Sequence, residues 1–214
     1  MKPYYHDDAA GITIYHGDCR ALALPERPAL VLTDPPYGIA YNPSGGDGLA
    51  QRGNLPPVEG DAEPFDPSHL LALGAPAILW GGNHFADRLP ASPSWLVWYK
   101  RDGLPQVQFA DCEMAWTNLG GPARVYNHPW HGMLRASERG VKRSHPTQKP
   151  VALMRWCLQR ARLAPGALVY DPYMGSGPLA QACKELGYRY IGVELVEAYA
   201  EIAARRLSQE VMAL

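Results

Sequence analysis

Short apolar runs alternate with helical stripes and glycine breaks along most of the chain. The apolar runs predict strands at 12–15, 29–33, 77–80, 95–99, 113–116, 168–170 and 190–193. Capped or amphipathic stretches predict helices at 68–74, 151–162, 178–186 and 196–207. Strands that alternate with helices in this way are typical of a doubly wound, mostly parallel sheet, so the predicted fold class is α/β.

Two stretches lack this regular pattern. Residues 41–67 contain many glycines and prolines and few apolar anchors, which predicts a long loop of the kind that forms lids or binding segments. From 120 to 144 the pattern dissolves into Gly, Pro, His and Arg. Between Arg124 and Lys149 six Lys or Arg residues stand against a single acid, Glu138.

Length and composition indicate one globular domain over 1–214. At 214 residues the chain is long enough for one sizeable α/β domain, with little left for a second. Hydrophobic residues make up 47% and charged residues 19%, which is ordinary for a soluble protein. The net charge of −1 argues against a general polycation, but it leaves room for nucleic acid, which needs only a local basic face.

The cysteines and the N-terminus indicate a cytoplasmic protein. The four cysteines are scattered, with no Cys-x-x-Cys pair and no His spacing suited to zinc, so we expect reduced thiols and no metal. The first residues lack the apolar core of a signal peptide, and no run approaches membrane-spanning length. We therefore expect no membrane association.

The tetrapeptide Asp34-Pro35-Pro36-Tyr37 follows the apolar run at 29–33 and would lie at the carboxyl edge of the sheet, where open α/β sheets bind ligands. Each proline fixes its own φ, lacks an N–H and pushes the preceding residue out of the helical region. The carbonyls of Asp34 and Pro35 would therefore be extended and free to accept hydrogen bonds. A carboxylate, a fixed carbonyl and a flat ring suit a planar molecule with an NH₂ group, such as a nucleobase; the alternative is a plain loop break after a core strand.

A glycine cluster follows the predicted strand at 168–170 and opens the predicted helix at 178–186. Its pattern Gly175-x-Gly177-x-x-Ala180 is typical of nucleotide-binding turns, in which glycines permit a tight turn and close ligand approach. Glu194 ends the next strand 23 residues after Asp171, where an acid is expected to bind two ribose hydroxyls. The order of strand, turn, helix, strand and acid therefore predicts a nucleotide-type ligand, bound by the last part of the chain.

Five separated segments together resemble the DNA amino-methyltransferases, which use S-adenosylmethionine to methylate an exocyclic base amine. The segments are 14–18, 33–38, 144–150, 171–177 and 191–194. Their order, with the catalytic block first and the cofactor block last, resembles the circularly permuted β group of that family. The resemblance covers nearly the whole chain and implies a seven-stranded, Rossmann-like methyltransferase sheet.

The resemblance also implies a role for each matched residue. Asp34, Pro35, Pro36 and Tyr37 would form the base pocket. The implied cofactor-binding residues are Asp18, Asp34, Thr147, Lys149, Asp171, Tyr173, Met174, Gly175, Ser176, Gly177 and Glu194. Among these, Glu194 would bind the ribose hydroxyls, Asp18 would lie near the adenine, and Thr147 with Lys149 would bind the cofactor carboxylate.

Segment 120–143 lies where this family inserts its target-recognition region. The expected DNA contacts, here and after the strand at 95–99, are Lys100, Arg101, Arg124, Arg135, Arg139, Lys142 and Arg143. The alternative is a solvated positive loop. Because the insert is short, we expect a short or loosely defined recognition sequence, or a homodimer that enlarges the footprint. The chain also departs from the family at Pro178, where Thr is usual.

The function implied by the resemblance is methylation of adenine N6 in DNA. The target amine is a poor nucleophile, and Asp34 with the Pro35 carbonyl would accept its two hydrogens and stabilise the positive charge that develops on attack. A stacked base is out of reach, so it must be flipped out, and Tyr37 would stack on it. Three alternatives remain open: methylation of cytosine N4, a nucleotide-cofactor oxidoreductase, and a non-catalytic DNA-binding scaffold.

Overall fold

The computed structural model describes residues 1–40, 59–101, 110–131, 134–138 and 148–209. The strands are β1 (Tyr5–Asp7), β2 (Ile12–His16), β3 (Leu30–Thr33), β4 (Ala77–Trp80), β5 (Trp95–Tyr99), β6 (Cys112–Thr117), β7 (Arg124–Asn127), β8 (Trp130–His131), β9 (Leu134–Arg135), β10 (Leu168–Asp171) and β11 (Arg189–Glu194). The α-helices are α1 (Ser68–Leu71), α2 (Val151–Ala161), α3 (Pro178–Leu186) and α4 (Glu197–Ser208).

In the described part of the chain, the main sheet has nine strands in the order β1-β2-β11-β10-β3-β4-β6-β5-β7. Its centre is parallel, because β2, β11, β10, β3 and β4 pair with one another in one direction. Strand β6 runs antiparallel to β4 and β5, and β1 runs antiparallel to β2. The predicted α/β fold with a mostly parallel sheet is confirmed, and β10, the strand of the glycine cluster, lies directly beside β3, the strand of the Pro-Pro motif.

Strands β3 and β4, at the centre of the sheet, are almost entirely apolar because both faces of the sheet are covered. Strands β3 and β4 are buried at every position, as expected for parallel strands between two layers. Leu30 and Leu32 pack with residues of α2, α3 and α4 on one face. Val31 packs on the opposite face with Phe65 and Leu70, the latter on α1. This alternation follows from the two-residue period of a strand.

Helix α3 begins and ends as its sequence predicts. Gly177 and Gly187, at its two ends, adopt positive φ values of 74° and 71°. Pro178 occupies the first turn, where its missing N–H leaves no hydrogen bond unmade. Glycine after the last turn is the common way for a helix to end.

The predicted number of seven strands was wrong, since the described residues form nine strands in the main sheet and a separate two-stranded ribbon of β8 and β9. Strands β1 and β7 lie at the two edges of the sheet, and β7 is mostly exposed. Both strands are short and lack an apolar pattern. They form through backbone hydrogen bonds to a neighbouring strand, which the residue pattern does not show. Segment 120–144, read as irregular, contains β7, β8 and β9 among its described residues. Of the predicted loop 41–67, residues 41–58 lie outside the described part of the chain.

In the described ranges no helix is both long enough and apolar enough to cross a membrane. Among the same residues, no three or more His, Cys, Asp or Glu side chains are grouped so that they could hold a metal ion.

Candidate active site

The two motifs singled out in the sequence meet at the carboxyl ends of β3 and β10. Thr33, the last residue of β3, donates a hydrogen bond of 2.7 Å to Oδ1 of Asp171 at the end of β10. Asp34 and the turn at 174–176 both line one cavity of about 1160 Å³ at this edge. That is more than a single small-molecule site usually needs, so the cavity has room for a cofactor and a second ligand.

On the Asp34 side of the cavity, four charged groups and one phenol form a continuous network. The Tyr37 hydroxyl donates to Oδ1 of Asp34 at 2.6 Å, and the Lys149 ammonium pairs with Oδ2. Lys149 Nζ also donates to the Tyr37 oxygen at 3.0 Å and pairs with Glu113 Oε2 at 3.1 Å. Glu113 Oε1 pairs in turn with Lys100 Nζ at 2.9 Å. In this network Asp34 accepts a hydrogen bond at each carboxylate oxygen.

Burial and charge act in opposite directions on these groups. Burial raises the pKa of Asp34 above its usual value, although the Lys149 ammonium opposes the shift. Burial also acts to raise the pKa of Glu113, but the ammonium groups of Lys149 and Lys100 outweigh it and bring that pKa to about 2. For Lys149, burial favours the neutral amine, but the two carboxylates outweigh it and the pKa is raised. Lys149 is therefore a cation held by two carboxylates.

The turn after β3 is positioned by residues that are distant in sequence. Asp61 Oδ1 accepts hydrogen bonds of 2.8 Å from the backbone N–H groups of both Tyr37 and Gly38. The Tyr37 ring lies against Gly81, where an added Cβ would come within 2.0 Å of the ring. The imidazole of His84 stacks on Tyr37 with centroids 5.0 Å apart and planes 14° from parallel. The Tyr37 ring is therefore held in place, and one of its faces is stacked against the His84 imidazole.

Sequence reasoning missed several of these residues. Glu113 lies on a strand that was predicted, but its side chain looked like one polar position among many. Asp61 belongs to the stretch interpreted as a loop, and no spacing rule connects it with Tyr37. Of these residues, only Gly81 could be noticed in the sequence, because Gly81-Gly82-Asn83 indicates a break after the strand at 77–80.

On the β10 side, Asp171 is a buried carboxylate whose hydrogen-bond partners are neutral. Thr33 and Tyr190 donate hydroxyl hydrogens to it, the latter at 3.2 Å, and the Tyr173 N–H lies 3.4 Å away. No Lys or Arg in the described ranges pairs with it. Burial raises the pKa of Asp171 to about 7. A cationic ligand group in the cavity would give the Asp171 carboxylate the positively charged partner that it lacks among the described residues.

Glu194 and Ser176 complete this half of the site. Glu194 Oε2 accepts from the Gly175 N–H and Oε1 accepts from the Val196 N–H, both at 2.8 Å. These bonds orient the carboxylate at the cavity wall, and burial raises its pKa. Within the described residues, the Ser176 hydroxyl is buried without a hydrogen-bond partner. Such a buried hydroxyl is available to a ligand.

The groups present fit S-adenosylmethionine. Its methionine end carries an ammonium group, which suits the neutral surroundings of Asp171, and its ribose carries two hydroxyls, which suit the carboxylate of Glu194. Tyr173 and Met174 also line the cavity. Asp18 lines it as well, but its carboxylate is bound by Arg20, whose guanidinium and backbone N–H bring the pKa of Asp18 to about 2.

The structure separates the predicted DNA-binding residues into two groups. Arg101 is buried beside Asp111, and Lys100 faces the cavity beside Glu113, so neither is on the open surface. Arg124 is exposed on the edge strand β7, and the Arg135 guanidinium lies 5.0 Å from the centre of the Trp130 ring. Three predicted DNA contacts and one cofactor contact lie outside the described residues: Arg139, Lys142, Arg143 and Thr147.

A family model described as DNA methylase matches residues 83–205, more than half of the chain. The chain belongs to the DNA methylase family. It is therefore an enzyme, a DNA methyltransferase that uses S-adenosylmethionine as methyl donor. The matched range contains Lys149, the glycine turn and Glu194, whereas the Asp34 turn precedes it.

Two relatives illustrate how far the likeness of this DNA methylase extends. The Type II methyltransferase M.ScaI of Streptomyces caespitosus is 26% identical over the whole chain, and the alignment spans 86% of that protein. The Type II methyltransferase M2.DpnII of Streptococcus pneumoniae is 38% identical over 84 residues, which are 38% of this chain and 30% of that protein.

Solved structures of DNA methyltransferases share the fold of this DNA methylase. The M1.HpyAVI–SAM complex has a TM-score of 0.55 and 22% identity, covering 92% of this chain and all of the other. The PvuII DNA methyltransferase, described as cytosine-N4-specific, has a TM-score of 0.60 and 14% identity, covering 95% of this chain and 88% of the other. At these identities the likeness shows the fold alone.

Proposed function

We propose that this DNA methylase transfers a methyl group from S-adenosylmethionine to the exocyclic N6 of a flipped-out adenine. The observation that carries the proposal is the hydrogen bond between Thr33 and Asp171, which brings the Asp34 turn and the glycine turn to one cavity. The choice of adenine rests on the motif itself, since Asp-Pro-Pro-Tyr resembles the adenine-modifying version and Ser-Pro-Pro-Tyr is more usual for cytosine.

The Asp34 turn supplies the groups that an exocyclic amine needs. Asp34 Oδ and the Pro35 carbonyl would accept the two amine hydrogens, which draws the nitrogen towards tetrahedral geometry and stabilises its developing positive charge. Tyr37 would stack on the extruded base, an interaction worth on the order of 1–3 kcal/mol. Asp61 and Gly81 hold this turn and ring in position, so little reorganisation is needed when the base arrives.

The β10 side would hold the methyl donor. Asp171 would pair with its ammonium, Glu194 with its ribose hydroxyls, and Gly175, Ser176 and Gly177 would form the turn against it. When bound, the donor supplies an electrophilic methyl group on a sulfonium sulfur. The protein's own contribution is to place the amine nitrogen in line with that methyl group, at a distance of roughly 3 Å.

Expression of the protein in a methylation-deficient host tests the proposal. Genomic DNA from these cells is digested to nucleosides and analysed by mass spectrometry, and single-molecule sequencing locates the modified positions. We expect N6-methyladenine that is absent from cells carrying an empty vector. N4-methylcytosine would overturn the choice of base, and the absence of both would overturn the proposed function.

A further inference from the structure

The Lys149 ammonium lies in the base half of the cavity, although the family resemblance assigns it to the cofactor carboxylate. Its side chain is 4% exposed, and its nitrogen contacts Asp34, Tyr37 and Glu113. Each of the three N–H donors therefore has an oxygen acceptor. Burying a cation in this way is costly unless the charges are paired, so its position beside the catalytic carboxylate calls for a functional explanation.

Asp34 is engaged before any base enters. Tyr37 donates to one of its oxygens and Lys149 pairs with the other. An incoming amine brings its own N–H donor, so it can take the place of Lys149 on Asp34 without loss of a hydrogen bond there. The exchange leaves one buried N–H of Lys149 without an acceptor, which costs free energy unless the base supplies one.

Both candidate target bases supply that acceptor. In adenine the N6 amine is flanked by the ring nitrogen N1, and in cytosine the N4 amine is flanked by N3. We propose that Lys149 donates a hydrogen bond to the ring nitrogen beside the target amine, and that Glu113 positions Lys149 for this contact. The inference rests on the proposed function and adds the way in which the pocket recognises the edge of the base.

Glu113 makes the exchange possible because it binds Lys149 independently of Asp34. Its Oε2 atom lies 3.1 Å from Lys149 Nζ, and its other oxygen is held by Lys100 at 2.9 Å. Without Glu113, Lys149 would have Asp34 as its sole carboxylate partner in the described network and would compete with the amine for it. Glu113 is thus a positioning residue that acts through Lys149.

The proposed contact explains which bases the pocket admits. An amine donor beside a ring-nitrogen acceptor is common to adenine and cytosine. Thymine presents a carbonyl and a ring N–H at the same positions, so its N–H would face the ammonium and its carbonyl would face Asp34. Lys149 therefore selects amine bases as a class but does not distinguish adenine from cytosine.

A double-mutant cycle between enzyme and base tests the contact. The substrate is a duplex containing the site located by sequencing, with either adenine or 1-deazaadenine at the target; for a cytosine target, 3-deazacytosine replaces cytosine. We expect wild-type kcat/KM to fall roughly 10- to 100-fold on the deaza base, as for loss of a charge-assisted hydrogen bond. For Lys149→Met we expect a low rate on the normal base and at most about a twofold further loss on the deaza base.

The cycle cancels the effect of the deaza substitution on the reactivity of the amine, because that effect is common to both enzymes. If wild type and Lys149→Met lose the same factor, the inference is overturned. A loss confined to a 7-deazaadenine substrate would also overturn it, since it would assign the contact to the other side of the amine.

Two further variants complete the experiment. Glu113→Gln keeps the shape of the side chain and removes its charge, so we expect the wild-type ratio of adenine to 1-deazaadenine activity to shrink while S-adenosylmethionine affinity is retained. An unchanged ratio would contradict the positioning role of Glu113.

Lys184→Met, which removes a lysine paired with Asp7, is the matched control and should keep the wild-type ratio of adenine to 1-deazaadenine activity. If DNA is not methylated at all, the proposed function fails; if it is methylated and the cycle is additive, this inference alone fails.

Discussion

At the scale of single residues, four carboxylates around the cavity differ in what neutralises them. Asp34 and Glu113 share the Lys149 ammonium, whereas Glu194 is held by backbone N–H groups. Asp171 has hydroxyl and backbone partners alone among the described residues. Because Asp34 and Glu113 already share a cation, they suit a neutral amine as ligand. Asp171 has no cationic partner among the described residues, so it suits a cationic ligand. Under the proposed function, we therefore infer that the base binds on one side of the cavity and the donor on the other.

The raised pKa of Asp171 leads to a prediction about cofactor binding. Because burial brings this pKa to about 7, the ligand-free site is largely protonated below that pH and ionised above it. A cationic donor binds the ionised form, so its affinity should fall as the pH decreases below about 7, by at most about tenfold per pH unit.

Isothermal titration calorimetry of S-adenosylmethionine binding between about pH 6 and about pH 8 measures this dependence. Asp171→Asn, which cannot titrate, should bind the donor weakly with a flat pH profile. Equal wild-type affinities at the two ends of the pH range would contradict the role given to Asp171.

Gly81 offers a test of how firmly the Tyr37 ring must be held. An alanine there would place its Cβ within 2.0 Å of the ring, at a φ of +73°. We expect Gly81→Ala to displace Tyr37 and to reduce methyl transfer at least about tenfold, with donor affinity retained.

Gly166→Ala is the matched control for Gly81→Ala. Gly166 has a similar φ of +70° and nothing within 4 Å of an added Cβ. It therefore carries the same backbone strain, about 1–2 kcal/mol, without the collision. Equal losses of methyl transfer in the two variants would show that strain alone is responsible.

At the scale of elements, the sequence predicts the strands that matter for the site and misses those at the edges. Strands β3, β4 and β10 are mostly apolar because both of their faces are buried, so their own residues predict them. Strands β1 and β7 pair at the edges of the sheet through backbone groups, which leave no trace in the side-chain pattern.

Position relative to a buried strand also decides which site residues could be predicted from the sequence. Asp34 and Asp171 directly follow or end buried strands, so an argument about strand ends finds them. Glu113 and Asp61 reach the site from β6 and from the segment before α1, and only tertiary packing brings them there. Their contacts could not be derived from local spacing.

The start of helix α2 provides a prediction about an element. Pro150 precedes the helix and makes no side-chain cap; instead Glu138 Oε1 accepts from the Val151 N–H at 2.8 Å. Glu138→Ala should lower the free energy of unfolding by about 1 kcal/mol, as for loss of a helix cap, while Glu138→Gln keeps an acceptor and should lose less. Urea denaturation measures both variants. An alanine variant as stable as wild type would show that this contact does not cap the helix.

At the scale of the whole molecule, the cavity has no excess of positive charge, so DNA must be attracted by basic residues outside it. The Asp34 network contains two acids and two lysines, so it presents no net charge to the phosphate backbone. The chain as a whole carries a net charge of −1. Binding of DNA therefore depends on local basic residues, and exposed Arg124 on the edge strand β7 is one candidate among the described residues.

The salt dependence of DNA binding tests this view. Arg124→Ala should weaken binding of all sequences alike and reduce the slope of log affinity against log salt by about 1, as expected for one phosphate contact. Arg162→Ala, at the end of α2 where the chain turns back towards β10, is the exposed control and should leave the slope unchanged. Equal slopes for wild type and Arg124→Ala would remove Arg124 from the DNA interface.

The proposed function depends most on Asp34 acting on the target amine rather than on the donor. Single-turnover methyl transfer by Asp34→Ala, with donor affinity measured on the same protein by calorimetry, tests this directly. We predict a rate at least roughly 100-fold below wild type, with S-adenosylmethionine affinity largely retained. A rate close to wild type, or a loss of rate explained entirely by weaker donor binding, would contradict the proposed role of Asp34.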